Sequence, residues 1–205
     1  MATGEKPIME KFVTFEGIDG CGKSTISKLL YKKLLNEGID AVLTFEPTNT
    51  EIGKFVKKCI KTNSDPYLTS FSFITDRILH CKKISKWLVD GKIVICDRYA
   101  ESTYAYQGAQ LENEIKNPIK WLKEMSKNQI IIPDRTYLFL ISPEKSLERI
   151  QKRKELIPFE KKAFLQKVHK NYLKISNGKR FLKLDATKKI DDLVKICYND
   201  IHYLG

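Results

Sequence analysis

The residues with the clearest capacity for chemistry lie in a short glycine-rich segment near the start of the chain. They match the P-loop pattern, in which a glycine is followed by four residues and then by Gly-Lys-Ser/Thr. Glycines let backbone N–H groups turn toward a phosphate, Lys23 adds a positive charge, and the Ser24 hydroxyl can bind Mg²⁺. The residues expected to bind nucleotide phosphates are Gly17, Ile18, Asp19, Gly20, Cys21, Gly22, Lys23, Ser24 and Thr25.

The sequence on either side of this segment has the pattern that a P-loop requires. An apolar run from Phe12 to Phe15 comes before it, and Ile26, Leu30 and Leu34 follow it at helical spacing. The segment is therefore expected to connect a buried strand to a helix, whose positive dipole end attracts anions. A glycine-rich turn between strand and helix that binds nothing is the alternative explanation.

A second group of chemically capable residues follows another apolar run, Ile93 to Cys96. Asp97 ends this run, as a Walker-B aspartate does, and such an aspartate holds hydrated magnesium beside a P-loop. Arg98 comes next, and its planar, permanently charged guanidinium suits a phosphate. Asp97 and Ser24 are the metal-binding residues that these two motifs predict. The alternative for Arg98 is an ordinary surface position.

Apolar strands alternate with helical patterns along the whole chain. The predicted strands span about 12–15, 41–45, 93–96, 137–141 and 181–184. The first predicted helix ends near 37, and the second runs from a capping box at Thr48 to about 61. Further helices are predicted from 66 to about 90, from about 111 to 127 with an interruption near Pro118, from 143 onward, and from 190 to 203. This alternation predicts an α/β fold with a five-stranded parallel sheet covered by helices on both faces. Residues 9–205 are expected to form one domain, preceded by a flexible leader at 1–8.

Composition limits the classes of function. The 205 residues carry a net charge of +12, which suits either nucleic-acid binding or solvated helix faces around a polyphosphate site. The lysines are spread along the chain without a dense arm, which favours the second explanation and predicts no nucleic-acid partner. The five cysteines form no C-x-x-C pair, as expected of reduced thiols in a cytoplasmic protein. No apolar run is long enough to span a membrane.

Several of these motifs together resemble the thymidylate kinase (dTMP kinase) family. The resemblance is carried by the stretch from Phe15 to Gly20, by Phe73 four residues before Arg77, and by the block from Asp97 to Gly108. It implies a P-loop kinase fold that uses ATP and Mg²⁺ to convert dTMP into dTDP. It also implies a homodimer, with the long helix near Trp87 as a plausible contact surface.

The resemblance also implies a set of residues that bind the acceptor nucleotide: Phe73, Arg77, Arg98, Ser102, Thr103, Tyr106 and Gln107. Phe73 would stack on thymine, and Arg77 and Thr103 would bond the base. Tyr106 would crowd a ribose 2′-OH and so select deoxyribose. Asp19 would lie near magnesium and the acceptor sugar, and Arg98 would hold the acceptor phosphate.

A basic segment at about 149–161 resembles the lid of that family. Arg149 and Arg153 are four residues apart, so on a helix they would share one face and could close over the β- and γ-phosphates. A solvated basic helix face is the alternative. Some members of the family carry an arginine in the P-loop where this chain has Gly20, which favours the lid as the source of that cation. The residues expected to act in catalysis are Lys23, Arg98, Asp19, Arg149 and Arg153.

Two departures from the family pattern and two rival functions remain. Phe45 stands where related enzymes commonly have an arginine, and Leu140 where they commonly have an aspartate.

One rival function is that of a deoxynucleoside kinase on the same scaffold, which needs a carboxylate base; Glu46 has a plausible position for that role. The other rival is a basic nucleic-acid-binding protein that uses ATP as a switch or not at all.

Overall fold

The computed structural model describes residues 10–151 and 161–204. Its centre is one sheet of five parallel strands in the order β2-β3-β1-β4-β5, which confirms the predicted α/β architecture. The strands are β1 (Lys11–Glu16), β2 (Ala41–Phe45), β3 (Ile93–Asp97), β4 (Arg135–Leu140) and β5 (Phe181–Asp185). The expected leader at 1–8 lies outside the described residues, as do most of the expected lid and Arg153.

Helices connect these strands. They are α1 (Lys23–Asn36), α2 (Glu51–Thr62), α3 (Pro66–Val89), α4 (Ala100–Gln110), α5 (Pro118–Ser126), α6 (Pro143–Gln151), α7 (Lys162–Ile175) and α8 (Ile190–Tyr203), with a short 3₁₀ turn at Leu111–Asn113. In the described part of the chain, no helix combines the length and apolar character needed to cross a bilayer.

The helical region predicted at about 111–127, with an interruption near Pro118, is confirmed in its later part, but its first part was misplaced. The helix that leads into it is α4, and only α5 occupies the later part of the region. Nearly all of α4 is buried, from Ala100 to Ala109. A helix that is buried all round has no apolar stripe, so the three- and four-residue spacing that identifies surface helices is missing there.

The cap of α2 also differs from the prediction. Thr50, and not Thr48, is the N-cap, and its hydroxyl accepts the N–H of Gly53 at 3.1 Å. Thr48 instead bonds the buried carboxylate of Asp76. The Thr48 hydroxyl donates to it at 2.6 Å and the Thr48 N–H at 2.7 Å. A charged acceptor in the interior outweighs a local cap because a buried carboxylate must be satisfied.

The core is built on the two central strands. Phe12, Val13 and Phe15 of β1 are buried, and so is the whole apolar run of β3. Phe15 packs against the rings of Tyr137 and Phe139 with centroids 5.1 and 5.7 Å away. Replacing such a residue by alanine costs roughly 3–5 kcal/mol of folding free energy, so Phe15→Ala should loosen the strand that precedes the P-loop.

Strand register brings the chemically capable turns to one edge of the sheet. Asp97 pairs with Phe15 on one side and with Phe45 on the other, so β1, β2 and β3 end at the same level. The backbone N–H of Arg98 donates to Phe15 O at 3.0 Å, and that of Glu46 donates to Asp97 O at 3.1 Å. The segments that follow these three strands therefore leave the sheet side by side.

Candidate active site

The P-loop begins with a turn that only glycine fits. Gly17 has a φ of +140°, and a Cβ there would lie 2.6 Å from the carbonyl oxygen of Phe139. Lys23 at the start of α1 is buried, and its Nζ lies 3.5 Å from the Ile18 carbonyl and 4.0 Å from Oδ1 of Asp19. No side chain caps this end of α1, whose first N–H groups are the natural donors to an anion. Ser24 follows on the exposed surface, as does Thr25.

Helix α6 packs directly onto this loop at Gly20. A Cβ on Gly20 would lie 2.7 Å from the carbonyl oxygen of Ser146, and the Ser146 hydroxyl donates to the Asp19 carbonyl. The position that carries an arginine in some relatives therefore has no room for a side chain here. Any cation that acts from this side has to come from another segment.

Arg98 turns back from the end of β3 toward the P-loop. Its Nη2 lies 2.5 Å from Oδ1 of Asp19, and its Nη1 donates to Ser102 Oγ at 3.0 Å. Arg98 has a φ of +69°, a conformation that few residues other than glycine adopt and that tends to occur at functional sites. Tyr106 lies beside the pair, with the Arg98 guanidinium carbon 5.1 Å from its ring centroid.

Asp19 is the meeting point of these groups. Burial opposes its ionisation, but the charges of Arg98 and Lys23 outweigh that effect, and the Tyr106 hydroxyl donates to Oδ2 at 2.7 Å. Together they lower the pKa of Asp19 to about 2. The carboxylate is therefore ionised at neutral pH and joins the P-loop to the turn that follows β3.

A buried carboxylate that the sequence did not single out holds this turn in place. Oε1 of Glu16 accepts the backbone N–H groups of Tyr99 and Ser102 at 2.8 and 3.2 Å. Its Oε2 accepts the hydroxyls of Ser102 at 2.6 Å and Tyr172 at 2.9 Å. Burial, and next the charge of Glu101, raise the pKa of Glu16 to about 7. Its only sequence signal is a charged residue at the end of an apolar strand.

A cavity of about 140 Å³ opens beside the Asp19–Arg98 pair. The predicted substrate residues that line it are Phe73, Arg98, Ser102, Tyr106 and Gln107, and the other lining residues are Asp19, Glu46, Pro47, Ile60 and Tyr99. Gln107 is almost fully buried, and its Oε1 has no hydrogen-bond partner among the described residues. An acceptor left unpaired at the wall of a cavity is free for a donor on a ligand.

Arg77 and Thr103 lie behind this wall and are not among the lining residues. Arg77 is one helical turn after Phe73 on α3, as predicted, but its side chain is only 1 % exposed. Its Nη2 donates to Thr103 Oγ1 at 2.8 Å and to Glu46 Oε2 at 2.7 Å, and its Nη1 has no partner among the described residues. The two residues expected to bond the base are thus joined to each other.

Arg149 lies near the loop but away from the cavity. Its Nη1 donates to Gly20 O at 3.4 Å and its Nη2 to Ala186 O at 3.2 Å. The guanidinium therefore rests between the P-loop and the turn after β5, on neutral carbonyl acceptors. A bound polyphosphate would be a stronger acceptor for the same group, since ionised partners form stronger hydrogen bonds.

The residues expected to hold magnesium suit that ion. Oδ1 of Asp97 is buried at the tip of β3 without a hydrogen-bond partner among the described residues. No cluster of three or more His, Cys, Asp or Glu side chains able to hold a metal occurs in the part of the chain that the structure describes. Mg²⁺ commonly binds through one or two carboxylates together with substrate phosphates and water, so the unpaired Asp97 oxygen is a suitable ligand for it.

Of the two departures from the family pattern, Phe45 lies closer to the cavity. It immediately precedes Glu46 and Pro47, is 41 % exposed, and has the Lys57 ammonium 5.3 Å from its ring centroid. Leu140 pairs with Asp185 of β5, at the other side of the sheet. All five cysteines are buried free thiols, in agreement with the sequence analysis.

Comparison with known proteins identifies one family. Residues 15–196 match the model of the thymidylate kinase family. Probable thymidylate kinases of Methanosarcina barkeri, Methanosarcina mazei and Methanosarcina acetivorans are 42 %, 39 % and 40 % identical to the chain over 189 residues. Each alignment covers 90 % of this chain and 92 % of the relative. With so much of its length matched at this identity, the chain belongs to the thymidylate kinase family.

Proposed function

We propose that this chain transfers the γ-phosphate of ATP to dTMP, giving dTDP and ADP, as a Mg²⁺-dependent step in dTTP biosynthesis. The observation that carries the proposal is the position of Asp19, 4.0 Å from Lys23 and 2.5 Å from Arg98. One loop carboxylate thus lies between the cation expected to hold the donor phosphates and the one expected to hold the acceptor phosphate. Family membership supports the same reaction.

The chemistry asks for cations and positioning more than for a base. The acceptor oxygen of a monophosphate is already ionised, so no side chain has to remove its proton. Lys23 then holds the β- and γ-phosphates while Arg98 exchanges its contact with Asp19 for the acceptor phosphate. With the reactants oriented and water excluded, charge stabilisation supplies most of the rate enhancement.

The cavity supports a pyrimidine deoxynucleotide as acceptor. Phe73 and Tyr106 both line the cavity, where Phe73 would stack on the base and Tyr106 would crowd a ribose 2′-OH. Gln107 contributes an unpaired buried acceptor in the same wall. Arg77 and Thr103 would bond the base from outside the lining, with Nη1 of Arg77 as the unpaired donor.

Mg²⁺ would be held by Asp97 and Ser24, with Asp19 nearby. When bound, the ion offsets the charge of the phosphates. Arg149 would exchange its contacts with the carbonyls of Gly20 and Ala186 for the transferring phosphate once ATP is bound, and Arg153, outside the described residues, would bind the same phosphate. The chain itself supplies orientation, through the P-loop backbone and through the Glu16 hydrogen bonds that fix the Arg98 turn.

A deoxynucleoside kinase would need a free carboxylate to take the proton of an alcohol, and Glu46 is the residue in place for it. Both Glu46 oxygens are occupied, Oε2 by Arg77 and Oε1 by His80. This arrangement favours the monophosphate as acceptor. Side-by-side assays of dTMP and thymidine with ATP and Mg²⁺ test the proposal: we expect turnover of dTMP, and turnover of thymidine alone would overturn it.

We also infer that the chain acts as a homodimer in the cytoplasm. Leu68, Phe71 and Leu79 are exposed apolar residues on α3, the helix that carries Trp87. Five unpaired buried thiols suit a reducing compartment. Light scattering of the purified chain should give twice the mass of one copy, and a monomer at micromolar concentration would contradict the dimer.

A further inference from the structure

Three buried side chains, Glu46 in the cavity wall and Arg77 and His80 outside the lining, form one continuous hydrogen-bonded chain. Glu46 donates nothing and accepts from both sides: its Oε2 receives Nε and Nη2 of Arg77 at 2.9 and 2.7 Å, and its Oε1 receives Nδ1 of His80 at 2.9 Å. Glu46, Arg77 and His80 are respectively 5 %, 1 % and 2 % exposed. Because all three side chains are almost fully buried, each hydrogen bond depends mainly on these neighbours.

His80 is itself fixed from its other edge. A carboxylate can only accept, so Nδ1 carries the proton that goes to Glu46, and Nε2 meets the Thr44 hydroxyl at 2.7 Å. The ring of Trp87 lies edge-on at 6.4 Å between centroids. Because both of its nitrogens are hydrogen-bonded and the Trp87 ring packs against it, the imidazole has one orientation. His80 then takes Oε1 of Glu46 and leaves Oε2 to Arg77.

The consequence for Arg77 is that only one of its nitrogens is left for a ligand. Nε and Nη2 are used by Glu46, and Nη2 also donates to Thr103 Oγ1 and to Tyr99 O at 3.2 Å. Nη1 is buried and has no partner among the described residues. A buried N–H without an acceptor is costly, so this nitrogen indicates where a ligand acceptor belongs.

We propose that His80, held by Thr44, is a positioning residue that fixes Arg77 through Glu46 and so sets which base the acceptor site binds. The inference rests on the proposed function. If His80 released Oε1, the Glu46 carboxylate could rotate and Arg77 could turn with it, and Nη1 would lose its fixed direction. The site would then discriminate less between a base with a carbonyl acceptor, as in dTMP, and one with an amino group, as in dCMP.

The test uses two substitutions of similar size that keep different halves of the imidazole. His80→Asn keeps an N–H near the place of Nδ1 and therefore the contact with Glu46. His80→Gln keeps a polar group near the place of Nε2 and therefore the contact with Thr44. Thr44→Val removes the hydroxyl that bonds Nε2, and Thr44→Ser retains it. His202→Gln, an exposed histidine on α8, is the matched control.

Each variant is measured for the KM of dTMP, the KM of ATP, the ratio of kcat/KM for dTMP over dCMP, and the unfolding temperature. We expect His80→Gln to raise the KM of dTMP and to lower that ratio by roughly tenfold each, because a charged hydrogen-bond chain is broken. His80→Asn and Thr44→Ser should stay within about threefold of the native chain, with Thr44→Val intermediate, and the KM of ATP should not change in any of them.

The outcomes separate this inference from the proposed function. If the native chain turns over dTMP but His80→Gln and His80→Asn behave alike, or lose only thermal stability, the positioning role is overturned. If dTMP is not turned over by the native chain, the proposed function fails. Calorimetric binding of dTMP and dCMP to the same variants then decides the positioning role, which an unchanged affinity ratio in His80→Gln would overturn.

Discussion

Asp19 and Arg98 lie on neighbouring turns of the sheet edge, with Oδ1 of one 2.5 Å from Nη2 of the other. The P-loop carboxylate is therefore bonded to the guanidinium that we propose binds the acceptor phosphate. Nη1 of Arg98 is held separately by Ser102. An incoming phosphate would compete with Asp19 for one nitrogen while the other keeps the side chain in place, and in this way we propose that Arg98 serves as a preorganised anion site.

Removal of this guanidinium should affect turnover far more than folding. We expect Arg98→Ala to lower kcat/KM for dTMP by about a hundredfold or more, since it removes a cation that faces the developing charge. Its unfolding temperature should stay within a few degrees of the native value, because the backbone of the turn is held by Glu16. Arg135→Lys, which changes an arginine paired with Asp200 outside the cavity, is the control. Steady-state kinetics that hardly differ between Arg98→Ala and this control would contradict the assignment.

The lowered pKa of Asp19 predicts a specific pH dependence of stability. Its folded value of about 2 lies below its ordinary value of 3.8, so the ionised carboxylate stabilises the fold above about pH 4. That contribution is lost as the pH falls through the folded value. The difference in unfolding free energy between the native chain and Asp19→Asn should therefore be constant from pH 9 to about pH 5 and shrink only below that. Denaturant unfolding at a series of pH values measures it; a difference that already shrinks near pH 7 would count against the ion pair.

The raised pKa of Glu16 predicts a pH dependence of stability with the opposite sign. Its pKa is raised from 4.5 to about 7, so the folded chain binds a proton that the unfolded chain has released. The stability that this proton provides is fully present below pH 4.5 and is lost as the pH rises toward 7. Relative to Glu16→Gln, the native chain should lose up to about 1.4 kcal/mol per pH unit across this window. Stability curves of the two proteins that run parallel between pH 5 and 7 would contradict the raised pKa.

The close packing of α6 on the P-loop can be tested at Gly20. Gly20→Ala places a Cβ 2.7 Å from Ser146 O, whereas Gly38, with a similar φ of +74°, has open space around it. Both alanine variants should lose about 1 kcal/mol of stability through backbone strain, and Gly20→Ala should lose more because its Cβ also clashes with Ser146 O. Only Gly20→Ala should also lower kcat/KM for ATP, by roughly tenfold, because α6 and the carbonyl of Asp19 must shift. Equal ATP kinetics in the two variants would show that this packing does not matter for the donor site.

Much of this site follows from patterns that a sequence carries directly. The P-loop and the segment after Asp97 both come after apolar runs, and parallel strands end at one edge of a sheet. Lys23, Asp19 and Arg98 were expected near each other on that basis, and the structure brings them together.

The remaining parts depend on contacts between residues far apart in the chain. Tyr172 reaches Glu16 from a helix 156 positions later, and His80 reaches Glu46 across 34 positions. Neither pairing leaves a periodic signal, because hydrogen bonds between buried side chains depend on tertiary packing and not on local spacing. The same reason explains why α4 was missed: burial on all sides removes the amphipathic pattern.

The central claim is that the Lys23 loop and the Arg98 turn bind two nucleotides end to end. The most direct measurement uses a bisubstrate ligand in which adenosine and thymidine are joined by a pentaphosphate. Its binding is measured by calorimetry, alone and in competition with ATP and with dTMP. We predict that it displaces both nucleotides, and that Lys23→Ala and Arg98→Ala each weaken it by about tenfold or more. Displacement of only one nucleotide, or loss of affinity in only one of the two variants, would contradict the account.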